Sequence, residues 1–130
     1  MPLTYFCQNC WREISAEADS CYYCGARQDT QSGYEEKLVK ALDCPEAATA
    51  ARAAYILGKT GAVVAVPALI AKLENSEDPY LAATACEALA RIGTAEARAA
   101  VRKALEHRFA PVRRVAEKCR LQLKTPGGGI

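Results

Sequence analysis

Four cysteines near the start of the chain stand as two pairs, Cys7-x2-Cys10 and Cys21-x2-Cys24, with ten residues between the pairs. Two intervening residues let each pair curl so that both sulfurs face one point. Four thiolates converging in this way can hold one tetrahedral metal ion, and Zn2+ is the usual occupant. With all four positions filled by sulfur, nothing is left open for water or substrate, so one such ion would be structural and not catalytic. A stretch of about 30 residues buries too little apolar surface to fold by itself, and the metal would supply the missing stability. Other uses of these thiols fit less well. A redox pair of the thioredoxin type needs a βαβ context that the sequence lacks. A disulfide framework belongs with secretion, and the start of the chain does not read as a signal peptide. An iron centre of the rubredoxin kind would use the same four ligands, with a longer gap between the pairs.

The remaining reactive side chains are few. His107, the one histidine, sits beside Arg108 with no nucleophile or acidic partner evident in the sequence, and reads as a partner of a helix C-terminus. Cys86 and Cys119 lie among alanines at helical spacing and read as small core residues. Cys44 precedes Pro45 in a turn and is expected to be exposed. No phosphate loop, nucleophile elbow or dinucleotide fingerprint is present. Charge is more informative. The chain carries +2 overall. Residues 1–97 hold 8 Lys/Arg against 13 Asp/Glu, and residues 98–130 hold 9 against 2. Arg98, Arg102, Lys103, Arg113, Arg114 and Lys118 form the basic end, with Arg114 and Lys118 four apart on one helical face. These six are the candidate contacts for an acidic partner or for phosphate.

The elements that position these residues are mostly helices. Hydrophobic residues make up 51% of the chain, much of it alanine, with only two Phe. That composition suits thin, close-packed helices better than a large aromatic core. Helices are expected near 34–43, 45–58, 63–74, 78–92, 94–106 and 110–124. Pro45 and Pro67 belong in first turns, Asp78-Pro79 opens the fourth helix, and Thr94 caps the fifth. Gly58 and Gly93 read as matching helix ends. Leu42, Leu73 and Leu105 end the odd-numbered helices at separations of 31 and 32 residues. A two-helix unit recurring at about 30 residues means a solenoid of stacked hairpins. The longest uncharged apolar run, 62–71, is too short to span a bilayer.

Two resemblances follow. Residues 1–28 resemble the small zinc-ribbon modules of bacteria and archaea. Their usual pattern has a glycine after each cysteine pair; here Gly25 follows the second pair but Trp11 follows the first. Val66-Pro67-Ala68-Leu69-Ile70, Asp78-Pro79-Tyr80-Leu81-Ala82-Ala83 and Glu87-Ala88-Leu89-Ala90-Arg91-Ile92-Gly93 resemble a HEAT-like repeat, of the short variety also seen in phycobilin lyase subunits. The likeness covers roughly residues 34–124.

The expected architecture is therefore mainly α: an α-solenoid of three HEAT-like hairpins over 34–124 with a zinc ribbon at 1–28. A linker at 29–33 and a disordered tail at 125–130 complete it. Ribbon and array read as independent modules, so chelation should unfold the ribbon alone. The expected function is a non-enzymatic, cytoplasmic adaptor that holds one structural Zn2+ and binds a protein partner through the array. The alternative is a nucleic-acid-binding protein using the basic helices and the ribbon. Neither reading involves a membrane.

Overall fold

The computed structural model describes residues 3–7, 9–28 and 33–123, with side chains through Arg120. The sequence readings on 29–32, Lys124 and the tail lie outside the described residues. Two short strands open the fold. β1 (Thr4–Phe6) pairs antiparallel with β2 (Glu13–Ser15), setting Tyr5 opposite Ile14. Strand alternation sends both inward, and both are fully buried.

Six α-helices follow among the described residues: α1 (Tyr34–Ala41), α2 (Ala47–Thr60), α3 (Val66–Asn75), α4 (Pro79–Ile92), α5 (Ala95–Lys103) and α6 (Ala110–Leu123). A 3-10 turn at Val63–Ala65 leads into α3, and another at Ala104–Glu106 ends α5. Sequence chemistry sets the boundaries. The Asp78 carboxylate accepts from the Tyr80 and Leu81 amides at 2.8 and 3.1 Å, and the Thr94 hydroxyl accepts from the Ala97 amide at 3.1 Å. At the other ends, Gly61 and Gly93 stop α2 and α4 with φ of 69° and 73°, a left-handed turn that favours glycine.

Gly61, and not Gly58, is thus the counterpart of Gly93. Gly58 lies inside α2, and its role is close approach. A Cβ there would sit 2.7 Å from Ala88 Cα and 2.9 Å from Ala88 Cβ. The helix accepts an unfavourable residue because α2 and α4 touch backbone to backbone at that point.

The helices pair as hairpins α1–α2, α3–α4 and α5–α6, and the second helices α2, α4 and α6 lie side by side. The core between them is small-residue packing. Ala53, Ala54, Leu57, Ala82, Ala85, Cys86, Leu89, Val112, Ala116 and Cys119 are all buried in one cluster. Leu42 and Leu73 are buried and Leu105 is half-buried, as their shared repeat position requires. Cys86 and Cys119 are core residues. Cys44 departs from expectation. The turn holding it folds inward, its amide donating to the Ala41 carbonyl at 3.1 Å, and only 7% of the residue is exposed. No helix among the described residues is long and apolar enough to cross a membrane.

The two-strand ribbon packs directly on the first hairpin. Tyr5, Phe6, Cys7 and Ile14 share one buried cluster with Leu38, Ala41 and Leu42. The Lys37 ammonium lies 4.4 Å from the Tyr5 ring centre, and Arg52 pairs with Glu13 at 3.6 Å. A continuous apolar contact of this kind couples the ribbon to α1, which the reading as independent modules did not anticipate.

Candidate metal centre and the repeat face

The four sulfurs of Cys7, Cys10, Cys21 and Cys24 all lie within 4.8 Å of one another. Sulfurs about 2.3 Å from a central zinc form a tetrahedron with edges of about 3.8 Å. The Cys7–Cys24 and Cys10–Cys21 sulfur pairs are both 3.7 Å apart. The donor set therefore suits a tetrahedral metal ion.

Two matching backbone knuckles produce this geometry. In the first, the Trp11 amide donates to the Cys7 carbonyl at 2.8 Å and the Cys7 amide to the Arg12 carbonyl at 3.0 Å. In the second, Gly25 donates to Cys21 and Cys21 to Ala26, both at 2.8 Å. Each knuckle also aims an amide at its leading sulfur: Asn9 N–H to Cys7 and Tyr23 N–H to Cys21, both at 3.3 Å. The residue closing each knuckle has a left-handed backbone, with φ 80° at Gly25 and φ 62° at Trp11. Trp11 thus adopts the conformation of the missing glycine, at a cost of about 1–2 kcal/mol for a residue with a Cβ.

Two further side chains support the sulfurs. Gln28, 7% exposed, donates from Nε2 to the Cys7 sulfur at 3.3 Å and to the Ala26 carbonyl at 2.9 Å. Asn9 donates from Nδ2 to the Cys24 sulfur at 3.5 Å. Sequence reasoning missed both. Gln28 is the last residue of the expected ribbon, beside the polar linker, and only its position two residues beyond Ala26 ties it to the metal end.

The environment separates the thiols. Burial pushes Cys7 up, but the amides of Cys10 and Asn9 and the Gln28 side chain outweigh it and bring the thiol down to about 6. Cys24 is lowered, chiefly by the Asn9 side chain. Cys10 moves the other way. The Arg12 amide lowers it, but burial and the sulfurs of Cys21, Cys7 and Cys24 together push it up to about 11. Four sulfurs this close repel one another as thiolates, and a divalent cation at their centre removes that repulsion.

The basic residues are distributed differently. Arg102, Arg113, Arg114 and Lys118 are exposed and Arg98 is half-buried. Lys103 pairs with Glu74 at 3.1 Å, and Arg113 donates to the His107 carbonyl at 2.6 Å. His107 is a structural clasp. Its Nε2 meets the Leu73 carbonyl at 2.8 Å and its Nδ1 accepts from the Phe109 amide at 3.1 Å, which fixes the Nε2–H tautomer. On the face made by the second helices, the sequence had not pointed to the grouping found around Tyr55. Arg52, Lys59 and Arg91 each lie 5.6–5.7 Å from its ring centre.

The HEAT repeats family matches residues 35–119. Among solved structures, the chain is similar to human deoxyhypusine hydroxylase in complex with glycerol, at 28% identity and a TM-score of 0.63. The match covers 66% of this chain and 30% of that one, so it takes in less than a third of the enzyme's length. No curated protein matches. The likeness corrects the expectation of a non-enzymatic chain. An enzyme is built on an array of this kind, so the repeat fold gives no ground for excluding catalysis. A family match that spans all three hairpins, on a structure of stacked helix pairs, shows that the chain belongs to the HEAT-repeat family.

Proposed function

We propose that this chain is a helical-repeat scaffold that binds a protein partner on the face made by α2, α4 and α6, with a structural zinc ribbon fixed to the first hairpin. The observation that carries the reading is the makeup of that face. Tyr55 stands there 37% exposed with Arg52, Lys59 and Arg91 around it, and Tyr80 stands 67% exposed at the start of α4. Aromatic and arginine side chains on a rigid support are the residue types that dominate protein interfaces. Arg114 and Lys118, exposed on α6, would extend the surface toward an acidic partner.

In this reading Zn2+ sits among Cys7, Cys10, Cys21 and Cys24. It neutralises four crowded thiolates and fixes the strands that cover α1. The test of the scaffold is crosslinking in the source cells, followed by reconstitution with the purified partner. Tyr55→Ala and Tyr80→Ala should each weaken binding at least tenfold. A partner bound equally well by both variants would remove the face from the reading. Binding that collapses steeply with salt and is competed by oligonucleotide would transfer it to phosphate recognition.

A further inference from the structure

The first hairpin differs from the other two at the positions that meet a neighbour. Leu38, Leu42 and Asp43 of α1 correspond to Leu69, Leu73 and Glu74 of α3, each 31 residues on. In α3 and α5, Lys72 and Lys103 reach back to the preceding hairpin and pair with Asp43 and Glu74 at 2.8 and 3.1 Å. The position in α1 that matches Lys72 is Ala41, which is fully buried. The lysine stands one turn earlier, where α3 has Ala68: Lys37 lies over the Tyr5 ring. Arg52 of α2 adds a contact through Glu13 and also lies 5.6 Å from the Tyr55 ring on the repeat face. The ribbon therefore occupies the place of a preceding hairpin, and the first hairpin carries the residues that receive it. The end of a solenoid needs such a cover, because each unit buries its face only against its neighbour.

That cap stands on four sulfurs that differ in access. Cys7 and Cys21 are buried, Cys10 is half-buried and Cys24 is exposed. The Cys24 sulfur lies 3.7 Å from that of Cys7, on the other knuckle. Cys44, Cys86 and Cys119, the thiols outside the centre, are all buried. An oxidant in solution thus meets Cys24 first, with a second sulfur already beside it.

We propose that the ribbon is a peroxide-sensitive cap, released from the array through Cys24. The Cys24 thiolate attacks one oxygen of hydrogen peroxide; the O–O bond breaks, hydroxide leaves, and a sulfenic acid forms. The Cys7 thiolate then attacks that sulfur. The S–O bond breaks and a second hydroxide leaves, giving a Cys7–Cys24 disulfide. The two sulfurs together lose two electrons, and the peroxide gains them. Cys10 and Cys21 remain as two donors where a tetrahedral ion takes four, so the metal is lost and β1 and β2 come away from α1. A thiol reductant and fresh Zn2+ reverse the change. The inference goes beyond the scaffold reading, and its test needs no partner.

Zinc-loaded chain is treated with hydrogen peroxide beside a chromogenic chelator, and the products are digested for mass spectrometry. The expected result is release of one zinc per chain, a Cys7–Cys24 disulfide as the first product, and Cys44, Cys86 and Cys119 still reduced. Hydrogen exchange should rise in β1, β2 and α1 as the metal leaves. Cys24→His supplies a fourth ligand without the thiol, and should release its metal at least tenfold more slowly. Cys10→His should stay close to the parent's rate. A first disulfide without Cys24, equal release from the two histidine variants, or no release at peroxide concentrations that oxidise glutathione would each overturn the proposal. So would an oxidised chain whose β1, β2 and α1 stay protected, since the cap would then survive its oxidation. If a histidine variant fails to load metal, the first disulfide of the parent decides.

Discussion

Replacing Gly58 with alanine separates two physical effects of opposite sign. Glycine inside a helix is unfavourable relative to alanine by about 1 kcal/mol, so on an open helix the change would stabilise. Here the new Cβ would lie 2.7 Å from Ala88 Cα, where carbon atoms normally rest about 3.5–4.0 Å apart. The atom met is backbone, so no rotamer change can relieve it. α2 and α4 must instead separate by roughly 1 Å along the contact that joins the first two hairpins. Overpacking of this kind costs about 1–3 kcal/mol, leaving a net destabilisation of up to about 2 kcal/mol. Urea and thermal unfolding of Gly58→Ala, with the metal kept saturating, should show a lower midpoint. Ala88→Gly in the same chain should restore only part of the loss, because it removes the 2.9 Å contact to Cβ and leaves the 2.7 Å contact to Cα. Gly61→Ala is the control. Its Cβ would meet nothing within 4 Å, and its cost comes from φ 69° alone. If Gly58→Ala raises the midpoint by the propensity difference, α2 and α4 do not approach as closely as described and the reasoning fails.

Three other outcomes follow from the same contacts. Gln28→Ala removes a donor to the Cys7 sulfur, and loss of such a supporting hydrogen bond weakens metal affinity about 10- to 100-fold; competition with a chromogenic chelator measures it. Chelation should raise hydrogen exchange in β1, β2 and α1 together, because β1 packs directly on α1, and leave α4 and α6 protected; exchange confined to the strands would contradict that contact. Cys86 is pushed up to about 12 by burial, with Cys119 and Glu87 adding to it. A thiol raised in the folded state favours folding below its unfolded value of 9.0, and that contribution is lost as pH rises from there toward 12. Stability should therefore decline across that interval in the parent and decline less in Cys86→Ala.

The metal end was legible because its signal is a spacing: Cys-x2-Cys repeated once encodes two knuckles whatever the intervening residues are. The helices were legible for a related reason, since Asp78-Pro79, Thr94 and Gly93 carry their capping chemistry in their own identities. What the sequence hid depends on contacts between distant residues. Gly58 reads as a helix end because local pattern cannot distinguish a glycine that turns a chain from one that admits a neighbouring helix. Gln28 falls within the expected ribbon, but its support of the centre is hidden because its partner, Cys7, lies 21 residues away in sequence. The basic residues were picked out by density along the chain, whereas Arg52, Lys59 and Arg91 meet at Tyr55 only through the side-by-side packing of α2 and α4.

The most direct test is the metal content of the purified chain, measured by elemental mass spectrometry beside a Cys10→Ser/Cys21→Ser variant. One zinc per parent chain, lost in the variant, is the expected result. A metal-free parent, an iron-loaded parent, or zinc retained by the variant would contradict the assignment of these four cysteines as the centre that holds the ribbon on the array.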